Sequence, residues 1–392
     1  MGGSGWYYLR HNVFYAGGLD LVPGEIVFFG EESIKMSTLR QDPLTGRWVI
    51  MAAGRSGRPN EFRLMQRDLA PGAHCPFCPG HEDSTTPEIL ALGRESGAPA
   101  NGPGWRLRVF PNMYPALRPA VEASSAGPRS AGRSGDLFPE RPGIGSHEVV
   151  VYSPDHADSL ASLEEPRLLE LLRVLRERAE VFSRRPGHRY VSPFCNHGPE
   201  AGATLAHPHM QIIGTPELPS LLVDKAVRFA RYRGRTGRCI LCDLTAAEIQ
   251  AAARMVQRND RWVCLAPWAS RFPWEMLLVP VRHQADLVQA DDEDLAALAQ
   301  VLSFSLRRLN DIHGDPSLNL VLHSAPGPPV DGQVYGDERL DDLACSVRDC
   351  FHWHLEIMPR LSRPAGLEVG TGFTINSVIP EEAAQQLRGK GS

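Results

Sequence analysis

One pattern of cysteines and histidines occurs twice along this chain of 392 residues. Each copy has a Cys-x-x-Cys pair, then a single histidine, then a His-x-His sequence with a polar residue two positions later. The first copy consists of Cys75, Cys78, His156, His207, His209 and Gln211, and the second of Cys239, Cys242, His283, His352, His354 and Glu356. The order is the same although the spacing differs, which indicates a diverged internal duplication. We therefore expect two similar domains packed on one another.

Apolar periodicity predicts the same kinds of element around both copies. Strand patterns occur at 146–152, 190–194 and 208–213, and again at 262–267, 275–280, 318–323 and 352–358. Apolar residues at helical spacing occur at 164–182, 218–232 and 291–309. This mixture predicts the α+β class, in which each domain is an antiparallel half-barrel sheet with crossover helices.

Composition suggests where the two domains begin and end. Residues 1–35 show no clear periodicity, whereas the sequence from Met36 leads directly into a strand pattern at 48–53. We treat 1–35 as an N-terminal extension. Residues 118–143 are dense in Pro, Gly, Ser, Ala and Arg, and this composition predicts a long loop. The first domain is therefore expected at 36–215 and the second at 216–392.

Charge and hydropathy limit the partners of the chain. Its 41 Lys+Arg and 46 Asp+Glu give a net charge of -5, which argues against a dedicated nucleic-acid binder. No run approaches the roughly 18 consecutive apolar residues of a membrane span, and the opening residues lack the pattern of a signal peptide. We therefore expect a cytoplasmic protein with neither nucleic acid nor membrane as a partner. Eight cysteines in that reducing compartment are more typical of metal ligands or core thiols than of disulfides.

The two Cys-x-x-Cys pairs are candidate zinc ligands. A tight turn of this type places two thiolates on one side of the chain, where both can bind a tetrahedral ion. The predicted ligands are Cys75, Cys78, His156 and His207 in the first site, and Cys239, Cys242, His283 and His352 in the second. A redox pair or two core thiols would explain either pair alone, but two copies with the same histidine order favour zinc. Four protein ligands leave no open position, so both sites are expected to be structural.

His209 and Gln211 are the candidate catalytic residues. With His207 they alternate along a predicted strand, so the three side chains should project from one face. If His207 binds the metal, His209 is left for chemistry, because a neutral imidazole is a good nucleophile toward phosphorus. Gln211 can then donate its amide to the phosphoryl oxygens. The alternative is a histidine-rich strand that serves the metal alone.

Two segments are candidate phosphate ligands. Asn196-His-Gly198 and Gly202-Ala-Thr204 form a glycine-containing loop directly before this strand, and such loops present backbone N–H groups to phosphate. Arg55 and Arg58 are spaced across a turn and are able to hold a diphosphate. The plainer alternatives are an ordinary loop and two solvated surface arginines.

These motifs resemble the galactose-1-phosphate uridylyltransferase family, a branch of the histidine-triad superfamily. The resemblance extends from about Met36 to the C-terminus. It rests on the segments 42–48, 75–78, 110–115, 153–156, 196–198, 207–211, 272–276 and 352–354. It implies two tandem histidine-triad-like domains and a homodimer. It also implies that His209 forms a nucleotidyl-histidine intermediate in a ping-pong cycle, that Gln211 assists, and that the first Cys2His2 set holds zinc. Substrate contacts are implied for Arg55, Arg58, Asn112, Asn196 and Thr204.

The second half and the C-terminal segment depart from the family pattern. Glu356 stands where Gln211 stands in the first copy, and a carboxylate would repel phosphate, so His354 is expected to be structural or to line the opposite wall. Some members of the family bind metal through second-half histidines without cysteines, which leaves His323 and His354 as an alternative ligand pair. Residues 369–378 lack the glutamine that contacts the sugar in the best-known members. We expect Asn376 and Ser377 to hydrogen-bond sugar hydroxyls instead, with modest discrimination between glucose and galactose.

Three functions follow from this comparison, in order of preference. The first is a UDP-glucose:hexose-1-phosphate uridylyltransferase, with galactose-1-phosphate as the family's acceptor, acting through a uridylyl-histidine at His209. The second is an ADP-glucose phosphorylase, because a related branch with Cys-x-x-Cys in both halves contains both activities. The third is a zinc-stabilised nucleotide-binding protein without turnover, and the intact pair His209 and Gln211 argues against it.

Overall fold

The computed structural model describes residues 36–55, 75–119, 142–327 and 346–389, two short paired strands near the N-terminus, and residues 137 and 340. The described strands in chain order are β1 Tyr7–Leu9, β2 Asn12–Phe14, β3 Thr38–Gln41, β4 Trp48–Met51, β5 Leu90–Leu92, β6 Leu107–Pro111, β7 Ser146–Val151, β8 Tyr190–His197, β9 His209–Thr215, β10 Met255–Arg258, β11 Trp262–Leu265, β12 Met276–Pro280, β13 Leu318–His323, β14 His354–Pro359 and β15 Thr374–Asn376. The described helices are α1 Glu165–Ser183, α2 Ser220–Thr236, α3 Ile240–Ala251, α4 Asp292–His313, α5 Val347–Cys350, α6 Gly366–Thr371 and α7 Pro380–Arg388. The predicted α+β class is confirmed.

Ten strands form one antiparallel sheet in the order β10-β11-β12-β14-β13-β8-β9-β7-β6-β5. The order is symmetric about the pair β8 and β13, where Leu318 lies opposite His197 and Val321 opposite Phe194. Each strand of one half therefore has a counterpart in the other, and β9 with His209 corresponds to β14 with His354. The duplication is visible strand by strand, and the two halves join edge to edge.

Helices α1 and α4 pack side by side on one face of this sheet. Leu168, Leu171 and Leu175 recur at helical spacing in α1 and are buried against β-strand residues such as Ile212 and Leu320. Helix α4 begins with a capping box in which Asp291 accepts a hydrogen bond from the Asp294 N–H and Asp294 accepts one in return. The opposite face carries His209, Gln211, His354 and Glu356 and is the face on which function is expected.

The opposite face is covered differently in the two halves. Helix α2 packs on the second half, where Val227 and Phe229 belong to the same buried cluster as Leu277 and Val279 of β12. In the first half the chain around Phe77 packs beside Phe110 and Val149. As a result His354 and Glu356 are buried, whereas His209 and Gln211 are half-exposed.

Most predicted elements occur within a few residues of their expected limits, but several observed elements, among them β5, β6, β10 and α7, were not predicted. Strand β9 begins at His209 rather than at 208, because Pro208 has no N–H for the sheet. His207 consequently lies outside the strand, in the loop before β9. His156 lies in the connection that follows β7. Helix α3, directly after Cys239, was not expected. The predicted loop 118–143 lies mostly outside the described residues, and no helix among the described residues has the length and hydropathy to cross a membrane.

Candidate active site and metal centres

The first predicted ligand set comes together in the structure. Cys78 Sγ lies 3.5 Å from Nδ1 of His156 and 3.5 Å from Nδ1 of His207, and the Cys75 thiol completes a group whose ligand atoms all lie within 4.8 Å of one another. A tetrahedral zinc ion, with bonds of about 2.3 Å to sulfur and about 2.0 Å to nitrogen, places such ligands about 3.5 Å apart. The four side chains therefore fit a tetrahedral metal ion.

The protonation of this group also suits a metal. Burial lowers the pKa of His207 to about 4, so its imidazole is neutral and has a lone pair for a ligand bond. Its other nitrogen, Nε2, lies 2.9 Å from the Ser153 carbonyl oxygen and donates to it, which fixes the ring. Burial and the neighbouring Cys75 raise the pKa of the Cys78 thiol to about 11. Two adjacent thiolates are thus unfavourable unless a cation lies between them.

The second ligand set is assembled in the same way. Cys242 Sγ lies 3.7 Å from Nδ1 of His283 and 3.4 Å from Nδ1 of His352, and Cys239 Sγ lies 3.8 Å from that His352 nitrogen. The hydrogen bond from Cys242 lowers the pKa of Cys239, and the same contact raises the pKa of Cys242. Within the described part of the chain, Nε2 of His352 is buried without a hydrogen-bond partner. This ring therefore lacks the orienting contact that Ser153 gives to His207.

His209 is oriented as a nucleophile requires. Its Nδ1 lies 2.8 Å from the backbone carbonyl oxygen of His207, and a carbonyl only accepts, so Nδ1 carries the proton and Nε2 carries the lone pair. Burial lowers the pKa of His209, although the hydrogen bond to His207 opposes the shift, so the ring is neutral near pH 7. The ring edge packs against Phe77, with the centroids 5.3 Å apart. The His207 carbonyl thus determines which nitrogen of His209 carries the lone pair.

Gln211 follows on the same face of β9 and contacts a histidine that the sequence analysis did not select. Its Oε1 lies 2.7 Å from Nε2 of His147 in β7. Asn112 joins this group, with its Nδ2 3.3 Å from the same His147 nitrogen and its Oδ1 accepting a hydrogen bond from the Tyr114 N–H. His147 lies on the same face of β7 as Val149, the residue opposite Gln211. Strand β7 begins with the three polar residues Ser146, His147 and Glu148, so polarity alone did not distinguish His147 in the sequence.

The loop before β9 lies beside His209. A small pocket is lined by Asn196, Gly198, Leu205, His207 and His209, among other residues. Gly198 has φ of +79° and an added Cβ would lie 2.2 Å from the hydroxyl oxygen of Ser317, so only glycine fits there. Gly202, at φ +82°, and Thr204 are exposed further along the loop.

Asn196 is held by a residue of the second half. Asn319 of β13 donates from Nδ2 to Oδ1 of Asn196 at 2.9 Å and to the carbonyl oxygen of Ala201 at 2.9 Å. The carbonyl side of the Asn196 amide is therefore occupied by Asn319. Sequence analysis could not find Asn319, because the contact depends on the register between β8 and β13.

The other residues predicted to contact substrate are Arg55, Arg58 and Asn376. Arg55 is exposed on a short 3₁₀ turn after β4, and Arg58 lies outside the described residues. Asn376 is buried, its Nδ2 donating to the carbonyl oxygens of Ser270 at 2.9 Å and Phe272 at 3.2 Å while its Oδ1 accepts from the Val378 N–H. The expectation that Asn376 hydrogen-bonds sugar hydroxyls is wrong for this fold, because its amide is fully used within the chain.

His354, the counterpart of His209 in the second half, lies beside a group of charged residues. Glu356 lies 2.6 Å from Nζ of Lys225 and 2.7 Å from Nη2 of Arg271, and Arg271 also pairs with Glu275. Burial alone would raise the pKa of Glu356, but Arg271 and Lys225 hold it well below its ordinary value. His323, His354 and Glu356 are close enough for a metal ion, yet the Lys225 ammonium already contacts two of them. His354, expected to be structural or to line the opposite wall, is fully buried beside Lys225.

Both halves of the chain match models of one protein family. Residues 28–219 match the family described as galactose-1-phosphate uridyl transferase, N-terminal domain, and residues 225–361 match its C-terminal domain. The ADP-glucose phosphorylase of Arabidopsis thaliana is 30% identical over 352 residues, which cover 89% of this chain and 92% of that protein. The galactose-1-phosphate uridylyltransferase of Thermotoga maritima is 28% identical over 362 residues, covering 90% and 98%.

Two solved structures are similar over nearly the whole chain. The crystal structure of the Arabidopsis thaliana ADP-glucose phosphorylase with bound ADP-glucose has a TM-score of 0.72 and 28% identity, and covers 91% of this chain and 100% of that one. A uridylyltransferase structure has a TM-score of 0.65 and 26% identity, with coverage of 90% and 97%. Both similarities extend across the two halves of the sheet.

Proposed function

The chain belongs to the galactose-1-phosphate uridylyltransferase family, an enzyme family of transferases, and we propose that it moves a nucleotidyl group by way of His209. One observation carries the proposal: the hydrogen bond from His209 Nδ1 to the His207 carbonyl oxygen, which leaves the Nε2 lone pair beside the pocket of Asn196 and Gly198. A neutral imidazole held in this tautomer is a nucleophile for a phosphorus centre.

The proposed cycle has two displacements. His209 Nε2 attacks the α-phosphorus of a nucleotide sugar, a P–N bond forms, the P–O bond to the sugar phosphate breaks, and sugar-1-phosphate leaves. An oxygen of the acceptor phosphate then attacks the same phosphorus and the P–N bond breaks, which restores His209. The His207 carbonyl oxygen holds the Nδ1 proton throughout and stabilises the positive charge that the ring acquires. Amide N–H groups of Gln211 and Asn196 donate to the phosphoryl oxygens as charge develops.

Zinc is the proposed metal at both Cys2His2 groups, because thiolate and imidazole ligands at tetrahedral spacing favour it over hard cations. Its proposed role is to hold the 75–78 turn, His156 and His207 in place. Since His207 also supplies the carbonyl that orients His209, the first site would position the nucleophile without contacting substrate. A homodimer is proposed from family membership.

Two substrate pairs suit this chemistry. Transfer from UDP-glucose to a hexose-1-phosphate is supported by the several uridylyltransferases among the relatives. Phosphorolysis of ADP-glucose is supported by the higher identity and the higher TM-score of the Arabidopsis thaliana phosphorylase. We favour the second pair on this ground. In that case inorganic phosphate is the acceptor, and the products are glucose-1-phosphate and ADP.

Trapping the intermediate tests the proposal. The wild-type protein is incubated separately with UDP-glucose and ADP-glucose that carry a labelled α-phosphorus, then denatured. We expect label on the protein that is stable in base and released in acid, as for a phosphoramidate. His209→Asn should carry no label and should keep its fold and its metal, while His313→Asn, at the end of helix α4 on the other face of the sheet, should still be labelled. An active wild-type enzyme without protein-bound label would contradict the covalent mechanism.

A further inference from the structure

His147 connects a backbone N–H group to the catalytic amide. The Ala116 N–H donates to Nδ1 of His147 at 3.2 Å, and Nε2 of the same ring lies 2.7 Å from Oε1 of Gln211. The residue opposite His147 on β9 is Ile213, so His147 and Gln211 are diagonal neighbours on one face of the sheet. The ring is half-buried between them.

The backbone donor determines both the tautomer of His147 and the orientation of Gln211. A peptide nitrogen only donates, so Nδ1 must carry a lone pair. Burial lowers the pKa of His147, although its hydrogen bond to Gln211 opposes the shift, and the neutral ring then has its single proton on Nε2. A protonated Nε2 only donates, so the atom of Gln211 that faces it is the carbonyl oxygen. The NH₂ group of Gln211 must lie on the other side of the amide.

Asn112 does not compete for this hydrogen bond. Its Oδ1 accepts from the Tyr114 N–H at 2.9 Å, so its Nδ2 is the atom that faces Nε2 of His147. The distance of 3.3 Å brings two donors near each other, whereas the 2.7 Å contact joins a donor and an acceptor. The Nε2 proton is therefore given to Gln211, and the Asn112 N–H groups remain for another acceptor.

We propose that His147 is a positioning residue, which holds the Gln211 amide by its oxygen so that its N–H donors face the phosphoryl group of the substrate. An unheld amide can rotate and present its oxygen, which would repel an anionic phosphate. The inference rests on the proposed function, because it assigns His147 a role in the nucleotidyl transfer to His209. It adds a residue of β7 to a site otherwise built from β8, β9 and the loop between them.

A matched pair of variants tests the role of the donor. Glutamine and methionine have nearly the same size, but only glutamine has an N–H group at the distance of Nε2 from the backbone. We expect His147→Gln to keep the rate of single-turnover nucleotidyl transfer within about threefold of wild type, and His147→Met to lower it by roughly ten- to a hundredfold, somewhat less than removal of a whole transition-state donor. The loss should be in the rate at saturation more than in KM. His188→Met, at a half-buried histidine bonded to Ser146 of the same strand, is the control and should leave the rate unchanged.

The same substitution in a protein that carries Gln211→Met separates positioning of Gln211 from a general structural effect. If His147 acts through Gln211, His147→Met should cause little further loss in a protein that already has Gln211→Met. A loss that persists in that background, or equal rates for His147→Gln and His147→Met, would overturn the proposal. Wild-type labelling is measured in the same experiment: absence of a labelled histidine in active wild-type protein contradicts the proposed function itself, whereas labelled wild type with unaffected His147→Met contradicts only the role of His147.

Discussion

The ammonium nitrogen of Lys225 lies 2.8 Å from Nε2 of His354, the atom that corresponds to the proposed nucleophilic nitrogen of His209. The two histidines have the same tautomer, because His354 Nδ1 lies 2.9 Å from the His352 carbonyl oxygen just as His209 Nδ1 faces that of His207. In the second half, however, the Nε2 lone pair accepts a hydrogen bond from Lys225. The duplicated site thus keeps the orientation of the ring and loses the lone pair that would attack phosphorus.

Lys225 and Glu356 should matter for stability and not for transfer. Removing one partner from a buried ionic group leaves an unpaired charge, so Lys225→Met should lower the free energy of unfolding by about 3–5 kcal/mol. The double variant Lys225→Met/Glu356→Gln should recover part of this loss, because Arg271 and Glu275 remain as a balanced pair. Chemical denaturation of the single and double variants measures both effects.

The same variants should leave the labelling of His209 in the folded protein nearly unchanged. Glu356 lies opposite Val321, Val321 opposite Phe194, and Phe194 opposite Gln211 on successive strands. The charged cluster is therefore three strand spacings, or about 14 Å, from the Gln211 amide. Loss of labelling in a variant of unchanged stability would instead make Lys225 part of the active site.

The ligand sets could be predicted from the sequence because the same order of cysteines and histidines occurs twice. The order of cysteines and histidines sufficed to identify both Cys2His2 groups, and apolar periodicity located α1, α4 and most strands of the large sheet. His147 and Asn319 could not be identified in this way. Their roles depend on strand register, which brings His147 diagonal to Gln211 and Asn319 opposite Asn196. Lys225 on amphipathic α2 gives no sign in the sequence that it is buried.

We expect two zinc ions per chain, with the second site the weaker. Both groups have tetrahedral spacing, but His207 is oriented by the Ser153 carbonyl oxygen, while Nε2 of His352 has no partner in the described part of the chain. A hydrogen bond that orients a metal-binding histidine strengthens metal binding by roughly ten- to a hundredfold. Elemental analysis should give a ratio near two, and a chelator titration should release one ion well before the other. Cys242→Ser should remove the first-released ion and Cys78→Ser the other; a ratio near one in the wild type would exclude the second site.

Asn319 should control the orientation of Asn196 across the seam between the halves. Asn319→Ala removes the donor to Asn196 Oδ1 and should lower the transfer rate by roughly tenfold, by analogy with a weakened transition-state donor. Asn319→Asp should be more harmful, because a carboxylate would accept from the Asn196 amide and turn the oxygen of that amide toward the phosphate. Single-turnover rates with thermal unfolding as a folding control test the ranking. If Asn319→Asp is no worse than Asn319→Ala, the amide of Asn196 does not face the substrate.

We expect the protein to discriminate weakly between acceptors that differ only in their sugar. The acceptor must bind where the sugar phosphate leaves, so this position necessarily accepts a phosphate group, and discrimination between sugars requires polar groups aimed at their hydroxyls. Of Asn376 and Ser377, the two residues expected to hydrogen-bond sugar hydroxyls, Asn376 has its amide bonded to Ser270, Phe272 and Val378, and Ser377 is half-buried. A site without buried polar groups that the wrong epimer leaves unpaired discriminates poorly. Glucose-1-phosphate and galactose-1-phosphate should therefore discharge the labelled enzyme within about tenfold of each other.

The nucleotide and the final acceptor can be determined in one chase experiment. Enzyme is loaded separately with labelled ADP-glucose and UDP-glucose, freed of excess nucleotide sugar, and mixed with inorganic phosphate, glucose-1-phosphate or galactose-1-phosphate. Because similarity to the Arabidopsis thaliana phosphorylase is the higher and the Asn376 amide is bonded within the chain, we expect faster loading by ADP-glucose and release of labelled ADP by phosphate. His209→Asn is the blank for non-enzymatic label. A kcat/KM for UDP-glucose with galactose-1-phosphate that exceeds that of the other pairs by more than about a hundredfold would instead identify a uridylyltransferase. Such selectivity requires polar groups in the sugar site that pair with one epimer.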